Sequence, residues 1–274
     1  SLMVYEFPEL QGIMGRIYAE KAGFDSEVAT AIEEHWMPKG ETAPLPHSPT
    51  GIIVSLAEKF DNLNSCYRIG LIPTSSSDPY ALRRQVLGII RILIQNKIHL
   101  DLKKYVQSPE ALQFITQRVK TVFLDYGFEK DEIEASLSKG IEDIYDTYLR
   151  VKALNEFRKT RSEFAQLSEV FKRARGQLDG QKTGSITPAL FKEPAEKNLF
   201  EKLSKVKSEF KKSIAEKNYP HAYEEIAILQ QPLNTLFSEV KILDDNQEIR
   251  NNRLSLLNEI FSLFGELIDF SKIR

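Results

Sequence analysis

The residues of this sequence with the clearest potential for chemistry are cations concentrated in one segment. Between Arg150 and Arg175 there are eight basic residues against three acidic ones, a local excess of five positive charges. A phosphate-bearing ligand needs several cations on one surface. Aromatic residues are interleaved with these cations, and an exposed one could stack on an unpaired base. For any single residue, a solvated helix face is the simpler interpretation. The basic residues are Arg150, Lys152, Arg158, Lys159, Arg161, Lys172, Arg173 and Arg175.

Acidic residues and a histidine in the first quarter of the chain raise the question of acid–base or metal chemistry. Glu6 and Glu9 are separated by a proline, which indicates a helix entry with solvated carboxylates. His35 follows two glutamates and could be joined by Glu58 and Asp61 on the next predicted helix. A metal ion needs several converging ligands, and this set is short of them. We therefore expect no catalytic residue and no metal site.

Composition limits the class of protein. The formal net charge is −2, so a nucleic acid would be attracted only by a local patch and not by the chain as a whole. Cys66 is the single cysteine, which excludes an internal disulfide framework and fits a reducing, cytoplasmic compartment. No apolar run approaches the roughly 20 residues of a membrane span, so no membrane partner is expected. The first three residues resemble a cloning remnant, which predicts a fragment of a longer protein.

Apolar residues recur at helical spacing from end to end, and alternating strand patterns are nearly absent. The pattern predicts an all-α protein: an orthogonal helical bundle over residues 1–145, followed by a second helical bundle over residues 146–274. Ser108-Pro109 predicts a capped helix start, and Thr160 to Glu163 predicts a capping box at another. Residues 176–194 predict a polar connection.

A turn-rich segment, Gly70 to Arg84, suggests anion binding near a helix start. Asp78-Pro79 is a cap followed by a proline and predicts that the helix begins there. Arg84 and Arg91 lie two turns apart, on a face different from the apolar one. They could contact an anionic ligand, or they could serve packing and ion pairs.

Four segments in order are similar to the β-subunit of bacterial glycyl-tRNA synthetase. They are Glu6–Gly15, Ala31–Pro38, Leu56–Leu63 and Gly70–Arg84, and looser similarity continues to Leu257. The resemblance implies a degenerate HD-type helical domain over residues 1–145 and a helical anticodon-binding domain over residues 146–274. It further implies that ATP and glycine are used elsewhere, on the α-subunit or a fused α-like part, so no cofactor is expected in this chain.

The resemblance gives the basic cluster a function. The expected partners are tRNA(Gly) and the α-subunit or α-like part, with this chain supporting aminoacylation without catalysing it. Basic residues would position the RNA, and unstacked bases would be recognised by stacking and edge hydrogen bonds. The predicted phosphate contacts are Arg150, Arg158, Arg161, Lys172, Arg173 and Arg175, with Arg250 and Arg253 as weaker candidates.

Two alternatives from other classes remain at this point. One is an HD-type metal phosphohydrolase, which is disfavoured because Glu6 to Glu9 stand where that family has His-Asp and Glu58 stands at its final aspartate. The other is a structural module that binds the α-subunit without contacting RNA.

Overall fold

The computed structural model of the protein describes residues 2–74, 77–78, 80–160, 163–178, 180–181 and 183–273, without the side chain of Glu163. Within these ranges the chain is helical and contains no β-strand, which confirms the all-α prediction. None of the described helices is both long and apolar enough to span a bilayer. Arg161, Pro79 and Ser162 lie outside the described residues, and so does the predicted Thr160–Glu163 capping box that depends on them.

The chain forms two compact units. Unit 1 comprises residues 1–126 and 141–145, and unit 2 comprises residues 127–140 and 146–274. The division therefore differs from a single cut after residue 145, because residues 127–140 belong to unit 2. The reason is long-range contact: Ala135 is part of the buried core of unit 2, and its carbonyl accepts a hydrogen bond from Asp269 N at 3.1 Å.

Six α-helices lie among the described residues of unit 1. They are α1 (Leu2–Glu6), α2 (Ile13–Lys21), α3 (Ser26–Glu34), α4 (Pro49–Arg68), α5 (Leu82–Gln95) and α6 (Pro109–Asp125). The Ser108 side chain accepts a hydrogen bond from Ala111 N at 3.0 Å, which confirms that predicted cap. Ser48 caps α4 in the same way, with Gly51 N donating at 3.0 Å.

The predicted start of α5 is wrong by a few residues. Asp78 does accept hydrogen bonds from Leu82 N at 2.8 Å and Arg83 N at 3.1 Å, but the helix begins only at Leu82. Ala81 has a left-handed backbone with φ of 53°, which prevents the helix from extending back to Asp78. The apolar side of α5 is fully buried, and Arg91 donates to the carbonyls of Gly40 and Ala43 at 3.0 Å each.

Unit 2 contains the remaining helices and a contiguous apolar core. They are α7 (Lys130–Leu137), α8 (Ile144–Thr160, which starts in unit 1), α9 (Glu163–Leu178), α10 (Pro194–Ala215), α11 (Tyr219–Ala227), α12 (Gln230–Glu239) and α13 (Gln247–Leu267). The connection before α10 lies along α13, because Gly184 N donates to Ser255 Oγ at 2.8 Å and Thr187 N to Asn252 Oδ1 at 2.7 Å.

Candidate nucleic-acid interface

The C-terminal end of α9 presents three cations to solvent: Lys172, Arg173 and Arg175. Their exposure follows from helical periodicity. Phe171 and Ala174 lie on the opposite side of the helix and are buried in the core of unit 2. Within the described residues, none of the three cations forms an ion pair, so none of the three charges is neutralised by direct contact with a carboxylate.

A cavity of about 880 Å³ opens beside Lys172 and Arg175. Its floor is aromatic: the ring of Phe261 is stacked on Phe171, with centroids 4.7 Å apart and planes 18° apart. Phe171 is in turn packed against the rings of Phe264 and Phe270, which fixes the floor in place. The cavity therefore combines packed aromatic rings with cationic side chains in its lining.

One carboxylate, Asp269, also lines this cavity. Burial by itself would raise the pKa of Asp269, but hydrogen bonds from Ser271 and the positive charges of Arg175 and Lys272 together lower it. Asp269 is therefore an ionised hydrogen-bond acceptor at neutral pH, beside the cations of α9. A carboxylate accepts from a base amino group and repels a phosphate, so it would favour a base edge at this point.

A second depression, of about 620 Å³, lies on the other flank of the same helix end. Arg173 lies over the ring of Phe237, with the guanidinium carbon 5.6 Å from the ring centroid. Lys241 and the exposed Leu243 also line this depression. Gly176 lines both depressions, so the end of α9 is a cationic ridge between them.

Arg150 is placed differently from the α9 cations. Its Nε donates to Asp146 Oδ2 at 3.0 Å, and its Nη1 donates to the carbonyls of Glu266 and Leu267 at 3.2 and 3.1 Å. Its guanidinium also stacks on the ring of Tyr219, 4.6 Å from the centroid. With its side chain 16% exposed, Arg150 joins α8, α11 and the end of α13, and this position argues against the predicted phosphate contact.

Arg253 is the most buried of the predicted residues that the structure describes, at 4% exposure. Its Nε donates to Glu196 Oε1 at 2.9 Å and its Nη1 to Asp244 Oδ2 at 2.8 Å. A guanidinium enclosed by two carboxylates cannot reach a phosphate in solvent, so the prediction for Arg253 is corrected to a structural role. Arg250 is half-buried, and its Nε donates to the carbonyl of Asp244 at 2.7 Å.

Arg158 is less exposed than the cations of α9 but more exposed than Arg150 and Arg253. Its side chain is 29% exposed and forms ion pairs with Asp131 at 3.0 Å and with the buried Glu132 at 3.5 Å. The guanidinium carbon is 5.8 Å from the ring centroid of Phe164. Its charge is therefore already shared with two carboxylates of α7, so it would contribute less to binding an anion than the α9 residues.

A second group of cations was not predicted from the sequence. Five exposed lysines lie on α10, outside the segment whose charges were counted; they are Lys197, Lys202, Lys205, Lys211 and Lys212. Lys139, which precedes α8, was also missed and lines the cavity beside α9. A charge count over residues 194–215 would have found the lysines of α10, whereas the place of Lys139 depends on the fold.

The histidine and acidic residues considered for metal chemistry are not brought together. His35 Nδ1 lies 2.7 Å from the carbonyl oxygen of Ile32, and the neighbouring Glu33 is paired with Arg16 at 2.5 Å. Throughout the described ranges, no three His, Cys, Asp or Glu side chains are close enough to hold a metal ion. The geometry does not favour the alternative of a metal phosphohydrolase.

Comparison with known proteins relates both parts of the chain to families. Residues 1–138 match the family model described as glycyl-tRNA synthetase beta subunit, and residues 160–271 match the one described as DALR anticodon binding domain. The second match contains α9 through α13, and therefore the cationic ridge.

Curated relatives agree with the first match. The chain is 38% identical over 291 residues to the glycine–tRNA ligase beta subunit of Syntrophomonas wolfei, and 34% identical over 287 residues to that of Clostridioides difficile. These alignments cover 100% and 99% of the chain but 42% of each relative. Because the beta-subunit family model matches half of the chain, the chain belongs to the glycyl-tRNA synthetase beta subunit family.

Proposed function

We propose that unit 2 binds tRNA(Gly) by its anticodon arm and that the chain is the RNA-holding part of a glycine–tRNA ligase. The observation that carries this proposal is the end of α9, where three exposed cations stand between two depressions with aromatic residues. This ridge lies inside the segment that matches the anticodon-binding domain.

The cations of the ridge and the residues of the larger cavity have different roles in recognition. Lys172, Arg173 and Arg175 hold the phosphates, which fixes the position of the RNA without selecting a sequence. An unstacked base enters the larger cavity and stacks on Phe261, while Asp269 accepts a hydrogen bond from an amino group on the base edge. Arg150 and Arg253 do not belong to this surface, because their guanidinium groups are held by internal carboxylates.

The rest of the proposal concerns the whole ligase. The chain spans about 42% of the length of the curated relatives. Aminoacylation with ATP and glycine takes place on the α-subunit or on a fused α-like part, in the cytoplasm, and this chain contributes no catalytic residue. Its partners are tRNA(Gly) and that catalytic part.

Unit 1 is the better candidate for contact with the rest of the ligase. Of the 19 large apolar side chains that are exposed in the described part of the chain, 17 lie in unit 1 and two in unit 2. We infer that part of this apolar surface is covered by a partner, because contiguous exposed apolar patches mark interaction surfaces. Ile53 and Val54 of α4 are adjacent examples, and Ile53→Glu is expected to abolish co-purification with the α-subunit while leaving tRNA binding unchanged.

The experiment for RNA binding is a fluorescence anisotropy titration of labelled tRNA(Gly) with the chain and with a charge-reversal variant. Replacing Lys172, Arg173 and Arg175 by glutamate is expected to weaken binding at least tenfold. It should also make the salt dependence shallower, by about two in the slope of log K against log salt, since each phosphate contact contributes about 0.7 to 0.9.

The matched control makes the same charge change on α10. A variant with Lys202, Lys205 and Lys212 replaced by glutamate tests whether any loss of cations from unit 2 has the same effect. We expect this control to lose far less affinity than the α9 variant. Equal losses in the two variants, or an unchanged affinity in the α9 variant, would rule out the ridge as the binding surface.

A further inference from the structure

A cleft of about 320 Å³ in unit 1 has no role in the function proposed above. It lies between α4 and the start of α5, next to the residues that follow α3. Six described side chains of its wall are charged or aromatic: Trp36, Lys39, Glu58, Lys59, Tyr80 and Arg84. The volume is at the lower end of the range for small-molecule sites, which suits a ligand about the size of one nucleotide.

Lys59 is the unusual residue of this wall because it is buried without a counter-charge. It is 5% exposed, and its Nζ donates to Ser55 Oγ at 2.7 Å and to the His35 carbonyl at 3.2 Å. No carboxylate lies within ion-pair distance of this Nζ in the described residues. Burial lowers the pKa of Lys59 to about 8, against a smaller opposing effect of the Glu58 charge. The group is therefore mainly a cation at neutral pH, in a place where an unpaired cation is costly.

The backbone makes room for this lysine. A Cβ atom at Gly88 would lie 3.0 Å from Lys59 Cε and 3.1 Å from Pro38 Cδ. A side chain at position 88 would therefore require Lys59 or Pro38 to shift by a few tenths of an ångström, so Gly88 lets α5 approach Lys59 closely.

The remaining charges of the cleft are also predominantly positive. Lys39 and Arg84 are exposed cations of the wall, and Glu58 is the only carboxylate among its described lining residues. Lys39 is held in place, because its Nζ donates to the carbonyl of Gln11 at 2.6 Å. Arg84 has no hydrogen-bond or ion-pair partner among the described residues, so its guanidinium is free to bind an anion.

Two aromatic rings stand beside these cations. Trp36 is 41% exposed and Tyr80 is 51% exposed, although both line the cleft. Trp36 is supported from one side by the ring of His35, with centroids 4.9 Å apart. An exposed aromatic ring next to a cationic cleft suits a ligand that has both a flat ring and a negative charge.

We propose that this cleft binds a single nucleotide, with Lys59 and Arg84 supplying charge for the phosphate and Trp36 or Tyr80 a surface for the base. The nucleotide is either free in solution or one unit of an RNA strand, and the two sources share this chemistry. The site goes beyond the function proposed above, since it lies in unit 1 and uses no residue of α9.

Trp36 provides a direct readout because it is the only tryptophan of the chain. The 274-residue chain is titrated with AMP, with a single-stranded RNA tetranucleotide, with adenosine and with inorganic phosphate, and Trp36 emission is followed. Equilibrium dialysis with radiolabelled AMP measures binding independently. We expect saturable binding of AMP or of the tetranucleotide, at least tenfold tighter than that of adenosine or phosphate. The tighter of the two identifies the source of the nucleotide.

Three variants test whether the nucleotide binds in the cleft. Arg84→Gln changes an exposed residue, so folding is not at risk, and it is expected to weaken AMP or tetranucleotide binding about fivefold to tenfold. Lys59→Met is expected to weaken it more than tenfold, with a thermal unfolding curve showing that unit 1 is intact. Lys120→Met, on α6 and outside the cleft, is the matched control and should leave affinity unchanged.

Three results would overturn the proposal. One is the absence of binding of both AMP and the tetranucleotide up to 10 mM, on the order of the weakest affinities of physiological interest. Another is equal affinity for AMP and inorganic phosphate, which would show that the base contributes nothing to binding. The third is an Arg84→Gln variant that binds like the unmodified chain. None of these results bears on the α9 ridge, whose test uses other residues of the other unit.

Discussion

Arg253 Nε donates a hydrogen bond to Glu196 Oε1 at 2.9 Å, and the two side chains are 4% and 0% exposed. They belong to α13 and α10, which are 57 residues apart in sequence at this point. Glu196 also accepts from the backbone N–H groups of Lys192 and Glu193, at the start of α10. One buried carboxylate therefore caps one helix and neutralises a cation of another.

The first prediction follows from this pair. Arg253→Met leaves Glu196 buried without its cation, and breaking such a pair typically costs about 3–5 kcal/mol of unfolding free energy. Urea unfolding followed by circular dichroism measures the loss. The double variant with Glu196→Gln is expected to recover part of it, because no buried charge is then left alone. A loss below about 1 kcal/mol in the single variant, in the range of surface ion pairs, would contradict a structural role.

The second prediction concerns pH and the carboxylate of Asp146. Burial by itself would raise its pKa, but hydrogen bonds from Tyr219 and Arg150 and the charges of Arg150 and Lys217 outweigh burial and lower it. A carboxylate with a lowered folded-state pKa adds stability above its unfolded-state pKa and loses it as the pH falls through the folded-state pKa. Asp146→Asn should therefore cost about 1.5–3 kcal/mol at pH 7 and progressively less below about pH 4.

Denaturant unfolding at several pH values tests this expectation. The structurally neutral comparison is Asp245→Asn, because Asp245 is an exposed residue paired with Lys241 on the surface. A stability difference for Asp146→Asn that stays constant from pH 7 to about pH 3 would show that the charge of Asp146 contributes nothing.

The third prediction separates stacking from charge at the proposed RNA surface. Phe261→Leu keeps an apolar side chain over Phe171 but removes the flat ring that lines the cavity. We expect tRNA(Gly) affinity to fall about 5- to 100-fold, since a base–aromatic stack contributes about 1–3 kcal/mol. The salt dependence of binding should stay unchanged, because no cation is removed. Phe200→Leu, an equivalent change on α10 away from the cavity, is the control. A change in the salt slope without a loss of affinity would contradict the assignment of Phe261.

The fourth prediction concerns the buried Lys59. Its folded-state pKa of about 8 lies below the ordinary lysine value of 10.5, so between these values the unfolded chain binds more protons. The unfolding free energy should therefore rise with pH in this window, by on the order of 1–3 kcal/mol from this group. Other groups titrate there too, so the measured quantity is the difference between the chain and Lys59→Met at pH 7.5 and at pH 10. A difference that does not change with pH would show that Lys59 is not buried as a cation.

The helices and many of their boundaries followed from sequence because they depend on neighbours within one or two turns. Ser108 and Pro109 specify the start of α6 locally, and the apolar stripe of α9 specifies which side of that helix is buried. The start of α5 was placed too early for a local reason as well. Asp78 supplies its cap from four residues away, across the left-handed Ala81.

The candidate site was predictable only in part, because a count of charges along the chain cannot include partners that are distant in sequence. The sequence predicted Lys172, Arg173 and Arg175 as candidate phosphate contacts, and all three are exposed to solvent in the structure. Arg150 and Arg253 were predicted on the same grounds, but their guanidinium groups are held by internal contacts. Their positions depend on α11 and α10, which only the folded chain brings to them.

The helices, the family-like order of segments in the first half and the concentration of cations towards the end of α9 could all be predicted from the residues alone. Which of those cations remain available to a ligand, and the place of Lys59 at a cleft without a counter-charge, depend on the folded chain. The two kinds of information differ in the distance over which they act. Helix propensity, capping and periodicity act over a few residues, whereas the burial and neutralisation of a charge depend on every element that folds against it.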